Sequence, residues 1–83
     1  MPLYLDVHHL GNGVTEGDAA QAHAADLATQ DQYGVTYKKY WVNEESGTIF
    51  FLVEAPDAEA AARVHKEAHG LVADEIFEVT EHE

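Results

Sequence analysis

Val35-Thr36-Tyr37-Lys38-Lys39-Tyr40-Trp41-Val42-Asn43-Glu44-Glu45-Ser46-Gly47-Thr48-Ile49-Phe50-Phe51-Leu52-Val53-Glu54 is the stretch on which the fold turns. Val35 to Glu44 is rich in β-branched and aromatic residues, which suit a pleated, half-buried surface. Thr48 to Glu54 is a compact second strand, and Asn43 to Gly47 between them reads as a hairpin loop with glycine at its end. On the N-terminal side, Thr15 starts an alanine-rich helix that the pattern carries to about Asp31, with Asp18 placed to complete a capping box. Its expected packing stripe is Ala20, Ala24, Leu27 and Ala28, and Tyr33-Gly34 stops it. On the C-terminal side, Pro56 and Asp57 introduce a second helix, with Ala61, Val64 and Ala68 inward and Gly70 as its cap. The outermost segments are strands: Leu3 to Leu10, ended by Gly11-Asn12-Gly13, and Ile76 to Thr80. The order β-α-β-β-α-β is the split βαβ arrangement of ferredoxin-like folds. It predicts one α+β domain over residues 1–83, a four-stranded antiparallel sheet with both helices on one face.

Such a sheet leaves its other face bare. In 83 residues without cysteine, only about 60–65% of the unfolded surface is buried and no disulfide staples the chain. Stacking two bare faces into a dimeric α+β barrel is the expected remedy. In the first strand Leu3, Leu5 and Val7 face one way, and Tyr4, Asp6 and His8 the other. We expect the second set to line the barrel, where an acid and an imidazole need partners.

Sixteen acidic residues against four Lys and Arg give a formal charge of -12. That balance argues against nucleic acid and anionic membranes as partners and favours cations, although a merely solubilising surface explains it too. No segment approaches the ~20 apolar residues of a membrane span. The start, Met1-Pro2-Leu3-Tyr4, carries no basic stretch or apolar signal core, so a cytoplasmic protein is expected.

Five of the six histidines fall in three places, beside carboxylates. Imidazole with carboxylate and no thiolate suits Ni, Zn, Cu(II) or Co. His65 and His69, four apart, share one helix face with Cβ atoms about 5–6 Å apart. They can chelate one ion or be two histidines favoured by the helix C-terminus. Lys66 follows His65, so the zinc-protease motif is absent. His8 and His9 point to opposite faces of a regular strand, and His8 with Asp6 makes either a metal site or a hydrogen-bonded cluster. His23 and Asp26 are helix neighbours, either an ordinary pair or a carboxylate orienting a ligand. With both helices expected to run antiparallel to the first and third strands, His8 and His69 lie at opposite ends of the domain. They could then not share an ion within one chain, which leaves two sites per chain, one site and one structural cluster, or a site recombined across the dimer.

Several stretches resemble a family of small bacterial ferredoxin-like proteins of unknown function that includes a nickel-binding, nickel-responsive member. They are Leu5-Asp6-Val7-His8-His9-Leu10, Ala22-His23-Ala24-Ala25-Asp26-Leu27, Tyr33-Gly34-Val35, Tyr40-Trp41-Val42, Leu52-Val53-Glu54-Ala55-Pro56 and Val64-His65-Lys66-Glu67-Ala68-His69-Gly70. The resemblance implies a dimeric α+β barrel and a nickel function. One departure is Phe51, where family members often carry cysteine.

The expected function is therefore non-catalytic binding of a divalent transition metal by a homodimer, to sequester or buffer the ion. Nickel is preferred through the resemblance, with zinc, copper and cobalt open. The candidate ligands are Asp6, His8, His9, His23, Asp26, His65 and His69. No nucleophile elbow, phosphate loop or catalytic cysteine is present. The competing reading is an enzyme or small-molecule binder working in the barrel cavity, with Asp6 and His8 as an acid–base pair.

Overall fold

The computed structural model describes residues 2–11 and 13–82. Strand β1 (Leu3–His9) leads to helix α1 (Glu16–Thr29), a 3-10 turn (Gln30–Tyr33), strands β2 (Thr36–Asn43) and β3 (Thr48–Glu54), helix α2 (Ala58–Ala68) and strand β4 (Glu75–Val79). The sheet is antiparallel in the order β2-β3-β1-β4, the ferredoxin-like α+β arrangement expected. At the start of α1, Thr15 accepts from the Asp18 N–H while Asp18 accepts from the Thr15 N–H, both at 3.1 Å. That is the capping box legible in the sequence. The α-helical part of α1 ends at Thr29, and the chain tightens into the 3-10 turn before Gly34. Asp57 caps α2 by accepting from the Ala60 N–H at 2.8 Å. Gly70, at φ 79°, donates to the carbonyls of His65 and Lys66 and closes the helix.

Residues of β3 fix which side is covered. Ile49, Phe51 and Val53 rise under the helices with Tyr4, Asp6 and His8 beside them, because the register pairs Tyr4 with Val53, Asp6 with Phe51 and His8 with Ile49. Tyr37 and Tyr40 of β2 join them. Their odd spacing would put them on opposite faces of a regular strand. A bulge between Tyr37 and Lys39 absorbs the extra residue Lys38 and brings both rings to the helix side. The core beneath the helices comprises Tyr4, Val35, Tyr37, Ile49, Phe51, Val53, Ala55, Ala19, Ala61 and Val64.

Three expectations are corrected here. First, Tyr4, Asp6 and His8 lie under the helices, not on the bare face; Leu3, Leu5 and Val7 face outward. Second, α1 does not pack through Ala20, Ala24, Leu27 and Ala28. Its fully buried residues are Ala19 and Asp26, with His23 half-buried, while Leu27 is 45% exposed. A stripe chosen for hydrophobicity missed a helix that buries an acid because basic partners wait for it. Third, the helices do not both oppose both central strands. Each opposes the strand before it, and β1 and β3 are antiparallel, so α2 runs alongside β1 in the same direction. Its C-terminus therefore reaches the His8–His9 end, where Asp74 donates its N–H to the Val7 carbonyl at 2.9 Å.

Candidate metal centre

The direction of α2 determines the site. His65, in its last turn, lies over the middle of β1 beside α1. It is wholly buried between two carboxylates: its Nε2 is 2.9 Å from Asp6 Oδ2, and its Nδ1 is 2.9 Å from Asp26 Oδ1. Burial alone would lower the His65 pKa, but hydrogen bonds to Asp26 and Asp6 outweigh it and raise the value from 6.5 to about 9. With both ring nitrogens facing carboxylates, His65 is an imidazolium at neutral pH. Burial would likewise raise both acids; hydrogen bonds from His65 and His8 hold Asp6 below the ordinary carboxyl value, and those from His65 and His69 hold Asp26 below it. Asp6 and Asp26 thus put two carboxylates against the one His65 ring, a setting that favours a cation.

Two groups of three donors meet at His65: Asp6 with His8, and Asp26 with His69. They differ in geometry. In the first, His65 and His8 engage different oxygens of Asp6, the latter at 3.2 Å. In the second, the atoms form one closed triangle: Asp26 Oδ1 to His65 Nδ1 2.9 Å, His65 Nδ1 to His69 Nε2 3.1 Å, and His69 Nε2 back to Asp26 Oδ1 3.1 Å. An ion with bonds of about 2.0–2.1 Å spans neighbouring ligands roughly 2.8–3.0 Å apart when octahedral and roughly 3.3–3.4 Å apart when tetrahedral. The 2.9 Å edge matches the octahedral spacing, and the two 3.1 Å edges lie between the two. Asp26 Oδ2 is buried with no hydrogen-bond partner among the described residues, a carboxylate oxygen left for a cation. His69 is 14% exposed while Asp26 and His65 are closed off, so the triangle is approached past His69.

The surrounding residues hold His65 in place. Tyr37, whose hydroxyl donates to the Ala61 carbonyl at 2.9 Å and to Asp6 Oδ2 at 3.3 Å, fixes the Asp6 carboxylate. Sequence reasoning missed Tyr37 as a member of the cluster; the signal was that a buried tyrosine hydroxyl must find a partner. His69 Nδ1 accepts from the Leu71 N–H at 3.2 Å, which puts the ring proton on Nε2, aimed at Asp26; to bind an ion through Nε2 the ring must move that proton to Nδ1 and give up the Leu71 bond.

The remaining candidates are elsewhere. His9 is on the outward face, where its Nε2 lies 3.0 Å from Glu75 and its N–H donates to Asp74. His23 does not pair with Asp26. Its ring rests on Tyr40 and Phe51, and its Nδ1 is buried without a partner among the described residues. His8 and His69 do not belong to remote sites, as the expected topology had it; both converge on His65. Asp6 and His8, under the helices, do not face a barrel cavity as an acid–base pair there would require. A groove of about 230 Å³ beside the start of α2, lined by Tyr33, Asp57, Glu59, Ala60 and Arg63, shares no residue with the cluster. Among the described residues no helix is long and apolar enough to cross a membrane.

The family model described as "Nickel responsive protein SCO4226-like" matches residues 4–79. The chain belongs to the SCO4226-like family. The crystal structure of SCO4226 from Streptomyces coelicolor A3(2) superposes with a TM-score of 0.90 at 43% sequence identity, over 98% of this chain and 99% of that one. No curated protein sequence matches. The SCO4226-like family is described by its response to nickel, and the histidine–aspartate groups here are the chemistry such an ion needs.

Proposed function

We propose that the protein binds one divalent transition-metal ion, nickel in the cell, at Asp26, His65 and His69, and that it sequesters or buffers that ion without catalysing a reaction. The observation that carries this is the closed triangle of donor atoms with edges of 2.9–3.1 Å. The donor set suits any first-row divalent ion; the family description directs the choice to nickel. His65 has one lone pair to give. When its Nδ1 binds the ion, its Nε2–H donates to Asp6, which His8 and Tyr37 hold. Such outer partners set ring orientation and basicity, and their loss costs about 10–100-fold in affinity. The two groups of three thus compete for His65, and the cluster takes one ion per chain. The -12 charge raises the local cation concentration.

In this proposal the working form is a cytoplasmic homodimer. Trp41 and Phe77, 48% and 50% exposed, flank Leu5 and Phe50 on the face the helices leave open, and stacking two such faces closes a barrel. Calorimetric titration of untagged, metal-free protein with nickel is the deciding experiment. One ion per chain, lost in His69→Ala, is expected. Failure to take up Ni, Zn, Cu or Co at micromolar concentration would overturn the metal reading. A monomer by light scattering would overturn the dimer alone.

A further inference from the structure

Phe51 is 2% exposed and stands where five other rings of the interior meet. Its centroid lies 4.9 Å from His65, 5.5 Å from His8, 6.3 Å from His23, and 5.9 Å from both Tyr37 and Tyr40. Among the described residues it is the one ring in contact with both His23 and His65. The His23 ring lies nearly parallel to it, at 20°. On its other side His23 meets Tyr40, whose hydroxyl donates to Glu16 at 2.9 Å. The two rings thus cover the faces of His23, whose buried Nδ1 has no partner among the described residues. A buried ring nitrogen without a partner is costly, so His23 is placed to take a further polar partner if the packing around it opens.

We propose that Phe51 sets the donor set of the metal centre: its ring holds His23 away from the ion and limits the imidazole ligands to those of α2. The proposal rests on the metal reading above. If the ring is removed, the space opens among His8, His23 and His65. A void with several polar partners fills with water or an ion instead of staying dry, and His23 becomes a further ligand.

Two experiments test this. In the wild-type protein, zinc serves as a diamagnetic probe, and the ring nitrogens of the histidines are followed by 15N NMR. His65 and His69 are expected to shift on zinc addition and His23 to stay. A metal-bound shift at His23 would overturn the proposal. Silence of all three rings would instead remove the metal reading itself. The second experiment is a nickel titration of Phe51→Ala, Phe51→Ala with His23→Leu, and Phe51→Leu. Phe51→Ala is expected to tighten binding about tenfold, the size of coupling usual for groups in contact. The added His23→Leu should abolish that gain, and Phe51→Leu, which keeps an apolar plug, should stay near wild type. A gain that survives His23→Leu would overturn the proposal. If Phe51→Ala does not fold, the wild-type spectra decide alone.

Discussion

The two faces of the sheet invert the usual rule at β1, but not at β3, whose covered side is Ile49, Phe51 and Val53. Along β1 the covered side presents Tyr4, Asp6 and His8, while the open side presents Leu3, Leu5 and Val7. A strand with water on one side normally does the opposite. The covered face carries its acid because Asp6 meets His65, His8 and Tyr37 there, and Asp26 meets the same imidazolium from α1. The open face carries leucine, tryptophan and phenylalanine, which suit a second protein surface better than water. What decides facing is therefore the partner available on each side, not the polarity of the residue alone.

The largest effect should come from breaking the covered side. Asp6→Ala leaves a buried imidazolium short of a carboxylate and should cost about 3–5 kcal/mol of stability, read by urea unfolding. A loss below 1 kcal/mol would mean that the cluster is not charged.

A smaller effect, of the same origin, is expected from pH. The raised pKa of His65 contributes stability fully present below 6.5 and lost as pH climbs through about 9, on the order of 3 kcal/mol in all. The lowered values of Asp6 and Asp26 act in the other direction: their contribution is present above 3.8 and lost as pH falls through their folded values. Metal-free protein should thus unfold most readily at the two extremes, with a plateau from about pH 4 to 6.5. An ion must displace the His65 proton, so nickel affinity should rise with pH up to about 9, roughly tenfold per pH unit. An affinity independent of pH between 7 and 9 would show that His65 is not a ligand. An unperturbed histidine would confine the change to about pH 5–7.

His69→Ala should weaken nickel binding by at least about 10–100-fold, the range seen even for groups that only orient a ligand, and should cost about 1–3 kcal/mol of stability, because the buried Asp26 loses a hydrogen bond. The smallest effect belongs to the open side. His9→Ala, which removes an exposed pair with Glu75 (55% and 50% exposed), should change stability by less than about 1 kcal/mol and leave the nickel titration unaltered. Equal loss of nickel binding in His9→Ala and His69→Ala would erase the distinction between the two faces.

Much of the architecture was legible because it rests on local chemistry. The Thr15–Asp18 box, the Asp57 cap, Gly70 and the hairpin of β2 and β3 all fall where the sequence places them. The site was legible only in its residue types. That His65 and His69 share a helix face follows from a spacing of four, but that Asp6 and Asp26 flank His65 depends on the direction of α2 relative to β1. This in turn follows from which central strands are antiparallel, a non-local fact. The burial of Asp26 was hidden for a related reason: periodicity identifies apolar stripes, and this helix turns a carboxylate inward. The bulge at Lys38 left no mark beyond the odd interval between Tyr37 and Tyr40.

That bulge makes β2 tolerant of losing one residue at its Lys38–Lys39 pair. Tyr37 pairs with Val53 and Lys39 with Leu52, so Lys38 is the residue without an opposite number. Loss of the single codon for Lys38 would join Tyr37 to Lys39 in regular alternation and leave both tyrosines pointing as they do now. Loss of the Lys39 codon would give the same chain, since both residues are lysine, whereas loss of one further along the strand, such as that for Trp41, would move the residues beyond it to the opposite face. The shortened strand would leave the Asp26–His65–His69 triangle untouched and forfeit its irregular outer edge, the feature that discourages a free edge strand from recruiting other chains. Such a variant would betray itself in solubility rather than in nickel binding.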